Sequence, residues 1–219
     1  MYNKLRESII RTVSLKNSFR GFTLVEMVLA LAISTIVLAA VYSVFTIANK
    51  NFTTQNAAAN VQQNLRSAIR LIARDIRHAG LDPSDSDNFG ITYASQSKIR
   101  FTMDRDTYNG IVDEANLEEI TYDFQNDQDQ VVQTLYEGKP SENTAVLIRN
   151  IEDLKFDYYD TENTSLIDTS LSPPRVPNDK LADIRTVEIS VTHWESAGRD
   201  KMVSRTLKRR VDCRNLAFN

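Results

Sequence analysis

The stretch RGFTLVEMVLALAISTIVLAAVYSVF, residues 20–45, decides how this chain is read. From position 27 to position 49 there is no charged residue, no Gly and no Pro, and Lys50 follows. A helix needs roughly 20 apolar residues to cross a bilayer, so this run is long enough. One residue sits badly in it. Glu26 lies at its start, where an unpaired carboxylate facing lipid costs about 2.5–3.5 kcal/mol at mid-membrane and less near an interface.

The flanks are polarised. Residues 1–21 hold Lys4, Arg6, Arg11, Lys16 and Arg20 against Glu7, a balance of +4. The whole chain carries −3, so the remainder carries −7. A basic leader before an apolar run follows the positive-inside rule and predicts a body outside the cytoplasm. An acidic body also argues against general nucleic-acid binding. The 219 residues suit one modest domain plus an extra element. Cys213 is the only cysteine, so no intramolecular disulfide forms, and the body must rest on its own core.

A cleaved secretory signal fits poorly, because the apolar run is too long and no small-residue cleavage site ends it. A plain signal anchor explains the leader and the run but not Glu26. The stretch RGFTLVEMVLALAIS, however, resembles the N-terminal signature of type IV prepilins and pseudopilins. Glycine, an aromatic, Thr-Leu-Val-Glu and the apolar run fall in the same order. The resemblance implies cleavage between Gly21 and Phe22 by a membrane-embedded prepilin peptidase, and N-methylation of Phe22. Glu26, then the fifth residue, could pair with the amine of its own chain or of a neighbouring one, and the resemblance implies the neighbouring amine during assembly. A charge there suits the positive end of the helix dipole. The leader, residues 1–21, is longer than the leaders common in that family.

Neither Gly nor Pro occurs between Gly21 and Gly80, which predicts a continuous helix over 22–79. Residues 22–49 form its membrane or filament-core half, and 50–80 an amphipathic continuation. In the second half Val61, Leu65, Ile69, Ile72 and Ile76 recur as one apolar stripe, which predicts packing on a sheet. Arg66, Arg70, Arg74 and Arg77 make an opposite basic stripe. It is either a solvated face or a docking surface for acidic partners. HAGLDP, residues 78–83, reads as a helix stop with Gly80 at the cap.

Residues 81–219 change to period-two alternation. It appears at Ile99, Phe101 and Met103; at Ile120, Tyr122 and Phe124; at Leu154, Phe156 and Tyr158; at Val187, Ile189 and Val191; and at Val203, Leu207 and Val211. Each run predicts a strand with one buried face, a pattern that favours antiparallel sheets. Residues 160–182, polar and holding three of the five prolines, read as a long loop of a kind that is often functional or mobile. The expected fold is therefore α+β, a long N-terminal helix laid on a mostly antiparallel, pilin-like sheet.

Further stretches resemble PilW-type minor pilins, with J-type pseudopilins of type II secretion as relatives. They are NLRSAIRLIARDIRHAGLDP, EEITYDF, VLIRNIEDLKFDYYD and DIRTVEISVTHW. The resemblance implies a minor type IV pilin that primes assembly at the filament tip, and thereby serves adhesion, motility or DNA uptake. Its implied partners are prepilin peptidase, other minor and major pilins, an inner-membrane assembly platform, a tip adhesin, and membrane lipid before assembly. The implied location is the inner membrane, leader inside and body in the periplasm, and then the extracellular pilus. A type II secretion pseudopilin, or a signal-anchored periplasmic ligand-binding protein, are the alternatives.

The sequence carries no enzyme motif: there is no H-E-x-x-H, no G-x-S-x-G and no P-loop. His78 falls at the predicted helix end and His193 in a predicted strand. No cofactor is expected. DRDTYNGIVDE, residues 104–114, departs from the EF-hand pattern, because Asn109 and Gly110 come one place late and Ala115 occupies the twelfth place. Asp104, Asp106, Asn109, Asp113 and Glu114 are nonetheless a weak candidate cation cluster. The plainer reading is a polar connection turning at Asn109-Gly110.

Overall fold

A computed structural model describes residues 21–105, 110–113, 117–198 and 201–217. The predicted leader lies almost wholly outside the described residues. The chain forms two compact units, Met1–Ala48 and Asn49–Asn219.

The described part of the first unit is almost entirely helix, the opening half of α1 (Leu24–His78). The sequence predicted a start at residue 22. The helix begins two residues later because Thr23 and Glu26 cap it. This half is long and apolar enough to cross a membrane, and none of its apolar window is buried within the chain.

In the second unit the other half of α1 buries Val61, Leu65, Ile69, Ile72 and Ile76. These are the predicted stripe, and small Ala68 and Ala73 fill the space beside it. The helix stops at Gly80, whose φ of +73° falls in the left-handed region that glycine tolerates. Its amide is taken by the Thr102 carbonyl at 2.9 Å, which ties the helix end to the sheet.

Two antiparallel sheets meet the helix, where the sequence predicted one. The first has the order β1 (Ile91–Ala94), β2 (Lys98–Thr102), β3 (Glu119–Gln125), β4 (Gln130–Leu135), β5 (Asn143–Arg149). The second has the order β6 (Ile151–Tyr159), β7 (Thr186–Ser196), β8 (Met202–Asp212). The chain passes from one to the other at Asn150, with φ +58°, one residue between β5 and β6.

Alternation marked β2, β3, β6, β7 and β8, but not β1, β4 or β5. Residues 130–132 of β4 are all buried, so no polar face shows in its sequence. Residues 143–146 of β5 are all exposed, and a register shift opposite Val131 and Val132 follows them. The predicted loop 160–182 is pinned along its length. It pairs through Asp168 and Arg175, donates from Val176 N–H to the Ala94 carbonyl at 2.8 Å, and buries the Val176 side chain. A short 3-10 helix, Asn178–Asp183, then leads to β7.

One polar group interrupts the apolar face of the helix. Asp75, 1% exposed, accepts from the Tyr122 hydroxyl of β3 at 2.7 Å and from Arg74 Nε at 3.0 Å. Gln133 of β4 donates to the same Tyr122 oxygen at 3.0 Å. Burial, with the adjacent Asp75 carboxylate, pushes the Tyr122 phenol well above its ordinary range, so it stays a donor. Tyr122→Phe leaves a buried carboxylate short of a donor and should lower stability by about 1–3 kcal/mol. Ile72→Ala, which opens a cavity at the same seam, should lower it by about 2–5 kcal/mol. Urea unfolding followed by circular dichroism measures both.

Candidate functional site

The residues singled out at the N-terminus lie where α1 starts. Gly21 and Phe22 precede the helix, and the Phe22 side chain is 86% exposed. Thr23 is the cap. Its N–H donates to Glu26 Oε2 at 2.8 Å and its hydroxyl to the same oxygen at 3.0 Å, while Glu26 N–H donates to Thr23 Oγ1 at 3.2 Å. This reciprocal pair is a capping box, in which each side chain satisfies a backbone amide that the first turn leaves open.

The arrangement has two consequences. The Gly21–Phe22 peptide bond stands outside the helix, in exposed backbone. The Glu26 carboxylate, the one charged group of α1 before Lys50, is hydrogen-bonded within its own chain. Its acceptor oxygens can exchange those local donors for a stronger cationic one. The sequence reading named Gly21, Phe22 and Glu26 but gave Thr23 no role. The Thr-x-x-Glu spacing before an apolar run was the available signal.

The other candidates lie in the body, and only part of the 104–114 cluster falls among the described residues. Asp104 is buried, its N–H donates to the Leu81 carbonyl at 2.8 Å, and its Oδ2 lies 3.4 Å from Gly110 N. Asp113 N–H donates to Glu118, and the Tyr136 hydroxyl donates to the Asp113 carbonyl at 2.8 Å. Asp106, Asn109 and Glu114 lie outside the described residues. Among the described residues no three acidic, His or Cys side chains gather as a metal would require. Glu118, which the sequence reading passed over, organises this connection by accepting from the Arg105 and Asp113 amides.

His78 at the end of α1 bonds the Arg74 carbonyl through Nδ1 at 2.8 Å. His193 is buried in β7, and its Nδ1 donates to the Asn150 carbonyl at 2.8 Å, which fixes the ring beside the turn between the sheets. The two histidines are thus separate structural groups. Arg66, Arg70, Arg74 and Arg77 are exposed, and Arg74 is drawn to Asp75. Cys213 is buried, and that burial pushes its thiol up to about 12. Ellman's reagent at pH 8 should therefore label Cys213 at least about a hundredfold more slowly in the folded chain than in urea. Stopped absorbance measurements under both conditions test this.

Comparison with known families falls on both parts of the chain. The profile described as the prokaryotic N-terminal methylation motif matches residues 16–42. The profile described as prepilin peptidase-dependent protein B matches residues 54–213. No curated protein matches the chain by sequence. Among solved structures, a type IV-like pilin from Thermus thermophilus is similar at 8% identity and a TM-score of 0.48, over 72% of this chain and 98% of its own.

Proposed function

This chain belongs to the family of prepilin peptidase-dependent protein B and is type IV pilin-like; from that premise we propose that it is a minor pilin of the PilW type. In this reading residues 1–21 are a cytoplasmic leader and the apolar half of α1 is held in the inner membrane, with the body outside. Prepilin peptidase hydrolyses the Gly21–Phe22 bond. The leader leaves with a new carboxylate, and Phe22 keeps the new amine, which is then methylated. The subunit enters a pilus with other minor and major pilins through the inner-membrane assembly platform. It primes the tip there, beneath an adhesin.

The observation that carries this reading is the lone Glu26 at the head of an apolar helix whose apolar window is not buried among the described residues. An uncovered apolar helix needs lipid or like helices around it. A carboxylate in such surroundings needs a cation, and cleavage at Phe22 creates one. In the uncut chain the Thr23 donors hold Glu26. In a bundle the amine of a neighbouring subunit displaces them, so that each incoming chain neutralises the one before it. The mechanism is packing and charge pairing, and we assign the body no catalytic step.

Expression with and without a prepilin peptidase, followed by mass spectrometry, tests the processing. A peptide beginning at methylated Phe22 is expected only with the peptidase, and an intact leader in both samples overturns the reading. Glu26→Gln should leave cleavage intact but reduce the chain in sheared filaments at least about tenfold, since an unpaired amine in an apolar bundle is worth more than 1.4 kcal/mol. Immunoblotting of filament and membrane fractions measures it.

A further inference from the structure

The sheets of the second unit have four outer edges, and three are protected among the described residues. Beside β1, Val176 N–H donates to the Ala94 carbonyl, and beside β6, Phe156 N–H donates to the Gln96 carbonyl and Leu166 N–H to the Tyr158 carbonyl. The edge of β8 carries Arg205, Lys208, Arg209 and Arg210, cations of the kind that keep other strands away. The edge of β5 has neither device. Its run Asn143-Thr144-Ala145-Val146-Leu147-Ile148 is uncharged, and Val146 is 41% exposed.

The register says which groups stand free. Tyr136 N–H bonds the Glu119 carbonyl, so even-numbered β4 residues face β3 and odd-numbered ones face β5. Gln133 is opposite Ala145, which places Ala145 in the ladder and turns the backbone groups of Thr144 and Val146 outward. An open groove of about 610 Å³ runs beside this strand. Ser67 and Leu71 of α1 form one wall, and Val146 and Arg149 of β5 the other. Arg149 is exposed and has no ion pair among the described residues. The one carboxylate lining the groove, Glu195, lies 3.7 Å from the buried His193 ring.

We propose that the free edge of β5 is a docking site for an extended segment of a partner protein, which adds as a sixth strand and sets a carboxylate against Arg149. An extended backbone can replace water on the outward amides and carbonyls of Thr144 and Val146 together. The apolar wall of Leu71 and Val146 takes its uncharged side chains, and the unpaired guanidinium of Arg149 selects an acidic residue at that end. The proposal deepens the assembly role given above, since such a segment would come from another component of the filament.

The test uses the full chain in detergent and a capped hexapeptide in which an N-terminal aspartate precedes alternating threonine and valine. A second peptide with the aspartate at the other end covers parallel addition. Hydrogen exchange read by mass spectrometry follows the amides of residues 143–149. The expected result is slowing of the Thr144 and Val146 amides by at least about tenfold with one of the peptides, and much less with a lysine in place of the aspartate. Val146→Pro removes an outward amide and no ladder bond, so it should abolish the slowing while the melting curve holds. Arg149→Glu should weaken the effect about tenfold and Arg205→Glu on β8 should not. No slowing with either peptide overturns the proposal. So does slowing without peptide that rises with protein concentration, because it would mean that a second copy pairs there. The N-terminal mass of the same preparation, made with the peptidase, keeps the two readings apart: a methylated Phe22 with an unprotected β5 leaves the pilin reading and removes only this site.

Discussion

The second unit depends on one seam, the apolar stripe of α1 against the inner faces of two sheets. Val61, Leu65, Ile69, Ile72 and Ile76 are all at most 2% exposed, and they join Phe101, Tyr122, Phe156 and Val191 in one core. Neither sheet could bury its apolar face without this helix, and the amphipathic half of the helix would be marginal without the sheets. The carboxylate of Asp75 is set into the seam where Tyr122 can meet it. A buried, satisfied polar pair adds little net stability, but it penalises any other alignment of helix and strand, because misalignment would strand a charge.

The first unit obeys a different constraint. Among the described residues its helix has no core to pack on, so its apolar side chains are exposed and its backbone hydrogen bonds close within itself. That is the condition for a helix in lipid or in a bundle of like helices. The single carboxylate at its head is stable in the isolated chain because Thr23 supplies donors. The same carboxylate is exchangeable because those donors are neutral. A capping box is strong enough to define where the helix begins and weak enough to yield to an ammonium group. In the function proposed above, the chemistry is concentrated in residues 21–26 and the folded body presents surfaces.

The edges of the sheets express the same division. Proteins protect exposed strands by covering them or by charging them, and this body does both at β1, β6 and β8. An edge that is uncharged from Asn143 to Ile148 and lies beside a groove departs from that habit at one place only among the described residues. Such a local departure from the rules that stabilise a fold is where interaction is to be sought.

Much of this was legible in the chain itself. The apolar run, the basic leader, Glu26 and the stripe from Val61 to Ile76 are local patterns, set by a period of 3.6 and by the energetics of charge in an apolar medium. Gly80 ends the helix through its own backbone freedom. Strands β2, β3, β6, β7 and β8 show themselves because one face of each is wet. The rest required the tertiary structure. Strand β4 is largely buried on both faces and most of β5 is exposed on both, so neither alternates. Two sheets form instead of one because Asn150 adopts a left-handed turn, which no composition signals. Asp75 lies three residues after Ile72, on the apolar face, but only the fold shows that Tyr122 waits opposite. Whether Thr144 turns its backbone inward or outward depends on a register shared by β3, β4 and β5. Local periodicity determined the long helix, its apolar stripe and the strands with one wet face. Pairing between residues far apart in sequence, which no local pattern encodes, decided the sheets, the buried polar seam and the free edge.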